Sequence, residues 1–410
     1  MSVSSASLPG PAITKIHRQQ FPALQNKRYF NYGGQGPTAQ AALEAIHEAH
    51  QQVQQKGPFS QEVNQWIAET AATARHCIAV ELGVEAEAIA LTENVTVGCN
   101  IALWGIPWQA GDHILLSDCE HPGIIAAAQE IGRRFQVEVA FFPLLAAETQ
   151  AAVVEALAQH LTPKTRLLIV SHILWNTGRS LPLEEIVALC HRHQPEPVWV
   201  LVDAAQSVGV LPLDLTALEA DFYAFTGHKW WCGPAGLGGL YIRPELLSWL
   251  QPTFVGWRGI TLDQTGTPTG WKNSAQRFEV ATSDYPLLAG LKSAIAIQNQ
   301  WGTAEQRYQR LCQLSEQLWQ QLGELPAISC LCPSPPPSGL VSFQIVSDTG
   351  PNTGPNIRPD KSLQIQLVQH LEKQGLFVRT LLHPDCIRAC VHYLSLESEV
   401  TQLTEAIAPS

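Results

Sequence analysis

The sequence predicts an α/β protein, with a large domain built on a mainly parallel sheet and a smaller α+β domain after it. Three observations predict this. From about residue 40, short apolar runs alternate with helical stretches, the pattern of strand–helix units that build a parallel sheet. The runs themselves, Val198 to Val202 above all, are almost continuously hydrophobic, as strands buried on both faces must be. After Tyr285 the pattern changes to two long helices and then to mixed short elements. We therefore read residues 31–285 as the large domain, 286–410 as the small domain, and 1–30 as a segment packing with the small domain.

Taken in order, AVELGVEAEAIALT, DHILLSD, QVEVAFFPL, TRLLIVSH, VWVLVDAAQ and LGGLYIRP contain the strands of the large domain. Helices such as IIAAAQEIGRRF and LPLEEIVALCHRH lie between them. The small domain begins with LLAGLKSAIAIQNQWG and EQRYQRLCQLSEQLWQQLGEL, both long enough for several helical turns. PSPPPSG and SDTGPNTGPNIRPD then bracket the strand-like LVSFQIV, and the Pro- and Gly-rich insert around 333–360 reads as loop. The chain closes as helix, strand, strand, helix. The first residues, MSVSSASLPGPAITK, read as a flexible tail without the layout of a secretory leader.

A chain of 410 residues exceeds what one core supports, since cores stop growing near ~250–300 residues. The formal charge of −11, with no basic run, excludes tracking a nucleic-acid backbone. No run of roughly 18 apolar residues offers a membrane span. Ten cysteines without a CxxC pair point to reduced thiols in the cytoplasm and to no metal site.

Four segments that follow predicted strands carry complementary chemistry. In FTGHKWWCGPAG, Lys229 sits beside a histidine between glycines, which is no helix-surface pattern. The two tryptophans after it would desolvate the amine and lower its pKa, as a Schiff-base former needs. In LVDAAQ, Asp203 ends a buried run. A carboxylate there can cap a helix, or face a pyridine nitrogen and keep it protonated. In TENVTVGCNIAL a polar turn opens a helix, where backbone N–H groups with Thr96 suit a phosphate. In LLSDCEHPGII, His121 lies in a strand-end loop from which it can stack on a flat ring. Ligands bind at the carboxyl ends of strands in such sheets, so the four converge on one pyridoxal phosphate site held by Lys229.

With these motifs the sequence resembles the aminotransferase class V group of fold-type-I pyridoxal phosphate enzymes, which includes the cysteine desulfurases, from YFNYGGQGPT nearly to its end. The resemblance implies a seven-stranded sheet between helices and a homodimer with shared active sites. It implies that Lys229 forms the Schiff base, that Asp203 pairs with the pyridine nitrogen and that His121 stacks on the ring. Gln206 and Asn176 would contact the phenolic oxygen. Thr96, Val97 through its backbone, Thr226 and His228 would hold the phosphate, and Thr282 would reach the partner subunit's phosphate.

Within this group VRTLLHPDCIRACVHYLS narrows the reaction. Arg388 matches the arginine that holds a substrate α-carboxylate, and Arg379 supplies a second positive charge. Trp257 and Arg258 in TFVGWRG, and Tyr32, are expected in the substrate pocket. A desulfurase places a nucleophilic cysteine on a loop here. Cys386 instead stands two residues before Arg388 in a compact stretch, which predicts a strand, and Cys390 follows close by. GWRG, HPDCIRAC and HILWNTG together resemble the cystine C–S lyases of the family. That implies β-elimination from L-cystine or L-cysteine to pyruvate, ammonia and a persulfide or sulfide, with a sulfur acceptor or iron–sulfur apoprotein as partner. Desulfuration to alanine, an isopenicillin-epimerase-like or aminotransferase reaction, and a non-catalytic cofactor-binding protein are the alternatives.

Overall fold

The computed structural model describes residues 8–346 and 361–408. Its centre is a seven-stranded sheet. The strands are β1 (Ile89–Thr92), β2 (His113–Ser117), β3 (Glu138–Phe142), β4 (Thr165–Ser171), β5 (Trp199–Asp203), β6 (Phe222–Thr226) and β7 (Gly238–Ile242). Their spatial order is β1-β7-β6-β5-β4-β2-β3, parallel from β6 to β3, with β7 antiparallel to both of its neighbours.

Strand alternation splits the buried side chains between two faces. Leu115, Leu168, Val170, Val200, Val202 and Tyr223 belong to one core. Ile114, Leu116, Leu167, Ile169, Leu201 and Ala224 belong to the other. A strand carrying apolar residues at both parities reads as one continuous run, which is why β4 and β5 are conspicuous in the sequence.

The first helix, α1 (Pro11–Arg18), lies where the sequence reads as tail. Pro11 stands at its first turn, where a missing N–H costs nothing. Its far end is docked: Arg18 donates to the Leu394 carbonyl at 2.6 Å and pairs with Glu399 at 2.7 Å. Next come α2 (Gln40–Lys56), α3 (Gln61–Leu82), α4 (Val95–Gly105), α5 (Pro122–Phe135), α6 (Gln150–His160) and α7 (Leu183–His191). The two long helices after Tyr285 are α8 (Pro286–Trp301) and α9 (Ala304–Gly323). The packing partner changes one helix later than the sequence pattern does. α8 lies against α2 and α3, with Leu288, Leu291 and Ile295 in the large core, whereas α9 packs on the small sheet and the last helix.

The second sheet is antiparallel, formed by β8 (Ile328–Cys330), β9 (Leu340–Ile345), β10 (Arg379–Leu382) and β11 (Asp385–Cys390) in the order β8-β9-β11-β10. α10 (Lys361–Lys373) and α11 (Glu397–Ile407) complete this part. Residues 347–360 of the Pro- and Gly-rich insert lie outside the described residues.

The segment from Arg28 to Gly36 ties the two sheets together. Arg28 and Tyr29 pair with Leu376 and Phe377, and the Phe30 carbonyl accepts the Cys390 N–H at 2.7 Å. Six residues on, the Gly36 N–H donates to the His228 carbonyl at 2.7 Å. A methyl group on Gly36 would overlap the Lys229 carbonyl oxygen and the Cys232 thiol. Backbone cannot give way as a side-chain tip can, so Gly36→Ala is expected to destabilise the fold by about 1–3 kcal/mol. Urea unfolding checks this; an unchanged midpoint would mean that the contact is slack.

Candidate active site

A cavity of about 470 Å³ opens at the carboxyl edge of the large sheet, the right size for a small-molecule site. Lys229 lies on its wall, in the turn that leaves β6. The turn is held by its own backbone. The Lys229 carbonyl accepts the Cys232 N–H at 3.0 Å. The Trp230 carbonyl accepts Gln298 Nε2 at 2.8 Å and His392 Nε2 at 3.1 Å. Trp230 and Trp231 are both fully buried. Burial pushes the Lys229 amine down to about 8, Asp203 opposes that shift, and the positive charges of Arg388 and Arg379 add to it.

Asp203 ends β5, with Oδ1 accepting the Ala205 N–H at 2.9 Å. His121 is the N-cap of α5; its Nδ1 accepts the Gly123 N–H at 3.2 Å, which puts the proton of the neutral ring on Nε2. Its ring stands edge-on to Trp175, with centroids 5.4 Å apart. Burial lowers the His121 pKa, against the pull of Asp203. At the α4 end of the cavity lie Thr96, Val97 and His228. Burial, then the charge of Lys229, brings His228 down to about 4.

Of the residues expected in the site, Thr96, Val97, His121, Asp203, Gln206, His228 and Lys229 line this one cavity. Several roles need correction in detail. The Val97 N–H is already donated to Asn94 Oδ1 at 3.0 Å, so the first turn of α4 offers fewer free donors than expected. Gln206 is held by Trp230, which donates to its Oε1, and by the Gly33 carbonyl, which accepts from its Nε2, each at 2.9 Å. One N–H therefore remains for a ligand. Thr226 is buried behind His228, 2.6 Å from its Nδ1. Asn176 is absent from the cavity wall and donates to the His383 carbonyl at 2.9 Å; its neighbour Trp175 lines the wall instead.

Tyr32 is the clearest displacement. It is fully buried and stacks on His392, with centroids 4.4 Å apart, behind the Lys229 turn. An aromatic residue beside a glycine-rich motif looks like a pocket wall, but this stack forms with a residue far along the chain. Trp257, Arg258 and Thr282 line a separate cavity. There Arg258 pairs with Glu279 at 2.7 Å and Trp257 is 58% exposed. Ser171, Trp175 and Asn94 line the main cavity and were not singled out from sequence. For Asn94 the capping position was a usable signal; for the other two there was none.

Neither Arg379 nor Arg388 lines this cavity; the β10–β11 hairpin that carries them, joined by His383 and Pro384, reaches its wall through Trp175. Arg379 and Arg388 are directly opposed across the hairpin, so their side chains share a face. Arg388 is 1% exposed, donates to the Trp175 carbonyl at 2.7 Å, and has a buried Nε without a partner. Cys386 is fully buried in β11, and burial raises its thiol to about 12.

A lysine, a carboxylate, an imidazole and a helix N-terminus around one cavity define a site of the pyridoxal phosphate kind. Comparison with known proteins agrees. The Aminotransferase class-V family profile matches residues 28–354, and the chain belongs to that family. Isopenicillin N epimerase of Streptomyces clavuligerus is 30% identical over 334 residues, 78% of this chain and 81% of its own. A cysteine desulfurase of Shigella sonnei is 35% identical but aligns over 51% of each chain. Among solved structures, the cystine C–S lyase C-DES with its reaction product cysteine persulfide is 51% identical, with a TM-score of 0.89. That match covers 95% of this chain and all of the other. A C-DES mutant with glycine covalently linked to the PLP cofactor superposes equally well, over 95% of this chain and 98% of the other. The Escherichia coli cysteine desulfurase CsdA, at 24% identity, 98% coverage of both chains and a TM-score of 0.79, shares the fold.

The depressed Lys229 pKa has a consequence for stability. Between its folded value of about 8 and the ordinary 10.5, the unfolded chain holds a proton that the folded one has lost, so stability rises with pH across that window. Below it the full burial penalty applies. Lys229→Met should therefore stabilise the cofactor-free protein at pH 7, with the gain shrinking from pH 8 to 10. Urea midpoints across that range check it; a constant difference would rule the penalty out.

Proposed function

We propose that this protein is a pyridoxal-phosphate-dependent carbon–sulfur lyase that cleaves L-cystine to pyruvate, ammonia and cysteine persulfide. The observation that carries the choice of reaction is the two-residue turn between Arg379 and Arg388, which leaves Cys386 locked in a buried strand. Likeness to C-DES over nearly the whole chain supports the same reading.

The residues present fit the cofactor. Asp203 would face its pyridine nitrogen, His121 would cover its ring, and Thr96 and His228 would take its phosphate beside the capped Val97, with Thr226 steadying His228. When bound, the cofactor supplies an electron sink for the bond to the substrate α-carbon. Lys229, with its pKa near 8, exists as free amine often enough near neutrality to take the α-proton. Arg388 binds the α-carboxylate by a bidentate pair, and Arg379 meets the distal carboxylate of cystine. The C–S electron pair leaves with sulfur. A persulfide is a weaker base than a thiolate, which favours cystine over cysteine. Water then converts the released enamine to pyruvate and ammonia.

A homodimer fits two adjoining cavities that share Arg258 and Thr282, one lined also by exposed Phe254 and the other by exposed Trp257, whose residues would complete a neighbour's site. A cytoplasmic setting fits ten free thiols, with the persulfide passed to a sulfur acceptor such as an iron–sulfur apoprotein.

Product analysis tests the reaction: L-cystine should give pyruvate, whereas alanine from L-cysteine would establish desulfuration. Cys386→Ala should keep most of the pyruvate-forming turnover, and its loss would place the thiol in the chemistry. Lys229→Ala should abolish turnover and change the visible absorption of the bound cofactor.

A further inference from the structure

Glu120 is a fully buried carboxylate that no step above uses. It lies in the turn after β2, immediately before His121. Its Oε1 accepts Ser117 Oγ at 2.5 Å and the Ser171 N–H at 3.1 Å, and its Oε2 accepts Ser171 Oγ at 2.7 Å. Ser117 Oγ in turn accepts the Cys119 N–H at 3.2 Å. Across the sheet, Ser171 is the register partner of Asp203. One carboxylate thus joins the ends of β2 and β4 beneath the cavity and pins a four-residue turn at both of its edges. Trp175 Nε1 adds a third tie, to the Cys119 carbonyl at 3.0 Å.

We propose that Glu120 is a positioning residue for His121: by fastening the 118–121 turn to the end of β4, it fixes the height and tilt of the imidazole over the cofactor ring. This rests on the reading of His121 as the stacking group. Cys119 buries in the core and Asp118 bonds Phe142 and Leu145, but these hold the start of the turn, whereas Glu120 adjoins the exposed His121 directly. A serine or an apolar residue at position 120 could not accept three donors arriving from two strands. Burial of the carboxyl raises it to about 7, with the Ser117 and Ser171 donors pulling it back. A group held in so unfavourable a place is explained by what it ties together.

The test compares Glu120→Ala, Glu120→Gln and Ser117→Ala in the full-length protein loaded with pyridoxal phosphate. It reads the visible circular dichroism of the bound cofactor, kcat and KM separately, and Tm. Glu120→Ala should weaken the dichroic band and lower kcat by about ten- to a hundredfold, with KM nearly unchanged, because a misplaced group costs chemistry more than binding. Glu120→Gln should recover most of this: its amide oxygen can accept from Ser117 and the Ser171 N–H, while its NH2 donates to the Ser171 hydroxyl. Ser117→Ala removes two bonds of the turn without touching the cavity wall and should shift band and kcat the same way by less. It carries the test if Glu120→Ala fails to fold. A wild-type dichroic band and kcat in the variants would overturn the proposal, as would equal damage by the Gln variant. No visible band in the wild-type protein would overturn the cofactor reading along with it.

Discussion

An amine that must lose its proton near neutrality has to be taken out of water without being paired too well. That constraint organises the site. Full pairing with Asp203 would hold Lys229 as an ammonium ion, and simple exposure would do the same. Here burial is the largest effect on Lys229 and the Asp203 charge opposes it, while Arg388 and Arg379 side with burial. The balance needs a rigid turn. Gly36 makes room for the Lys229 carbonyl, and Gln298 and His392 bind the carbonyl after it. These three come from the N-terminal segment, α8 and the C-terminal region, so both parts of the chain must be folded before the amine is set.

The same economy appears around the cavity, where few polar groups serve a single partner. Trp230 seats the lysine turn through its backbone while its indole orders Gln206. Trp175 ties the His121 turn with its indole and aims Arg388 with its carbonyl. The proposed cofactor and substrate sides therefore meet in one residue. The hairpin that carries the two arginines is anchored to the large domain by Arg388 and, through the His383 carbonyl, by Asn176.

Much of this was legible in the sequence, for identifiable reasons. Strands β4 and β5 are buried on both faces and so read as continuous apolar runs. Lys229 stands out because a lysine between glycines after such a run has no helical surface to occupy. What sequence could not show is which polar atoms are already spent. Val97 looks like a free donor until Asn94 caps it, and Gln206 looks like a free amide until Trp230 and Gly33 leave it one N–H. Tyr32 looked like pocket wall because its stacking partner, His392, is 360 residues away. α1 read as tail because its anchors, Leu394 and Glu399, lie equally far off. Local pattern reports periodicity and turn chemistry; long-range satisfaction of hydrogen bonds lies outside it.

Turn length at the hairpin decides which sulfur chemistry the site can perform. A thiol that attacks substrate sulfur must travel to it, and it must be a thiolate when it arrives. A two-residue turn gives β11 no slack: Asp385 to Arg388 pair with β10, and Ile387 to Cys390 pair with β9. Burial pushes the Cys386 thiol up to about 12, so the thiolate is scarce near neutrality. The same short turn that silences the cysteine holds Arg388 opposite Arg379 at a fixed separation, a geometry suited to a rigidly held substrate with two carboxylates. With Cys386 held in the strand, the proposed route has the sulfur leave with the C–S electron pair.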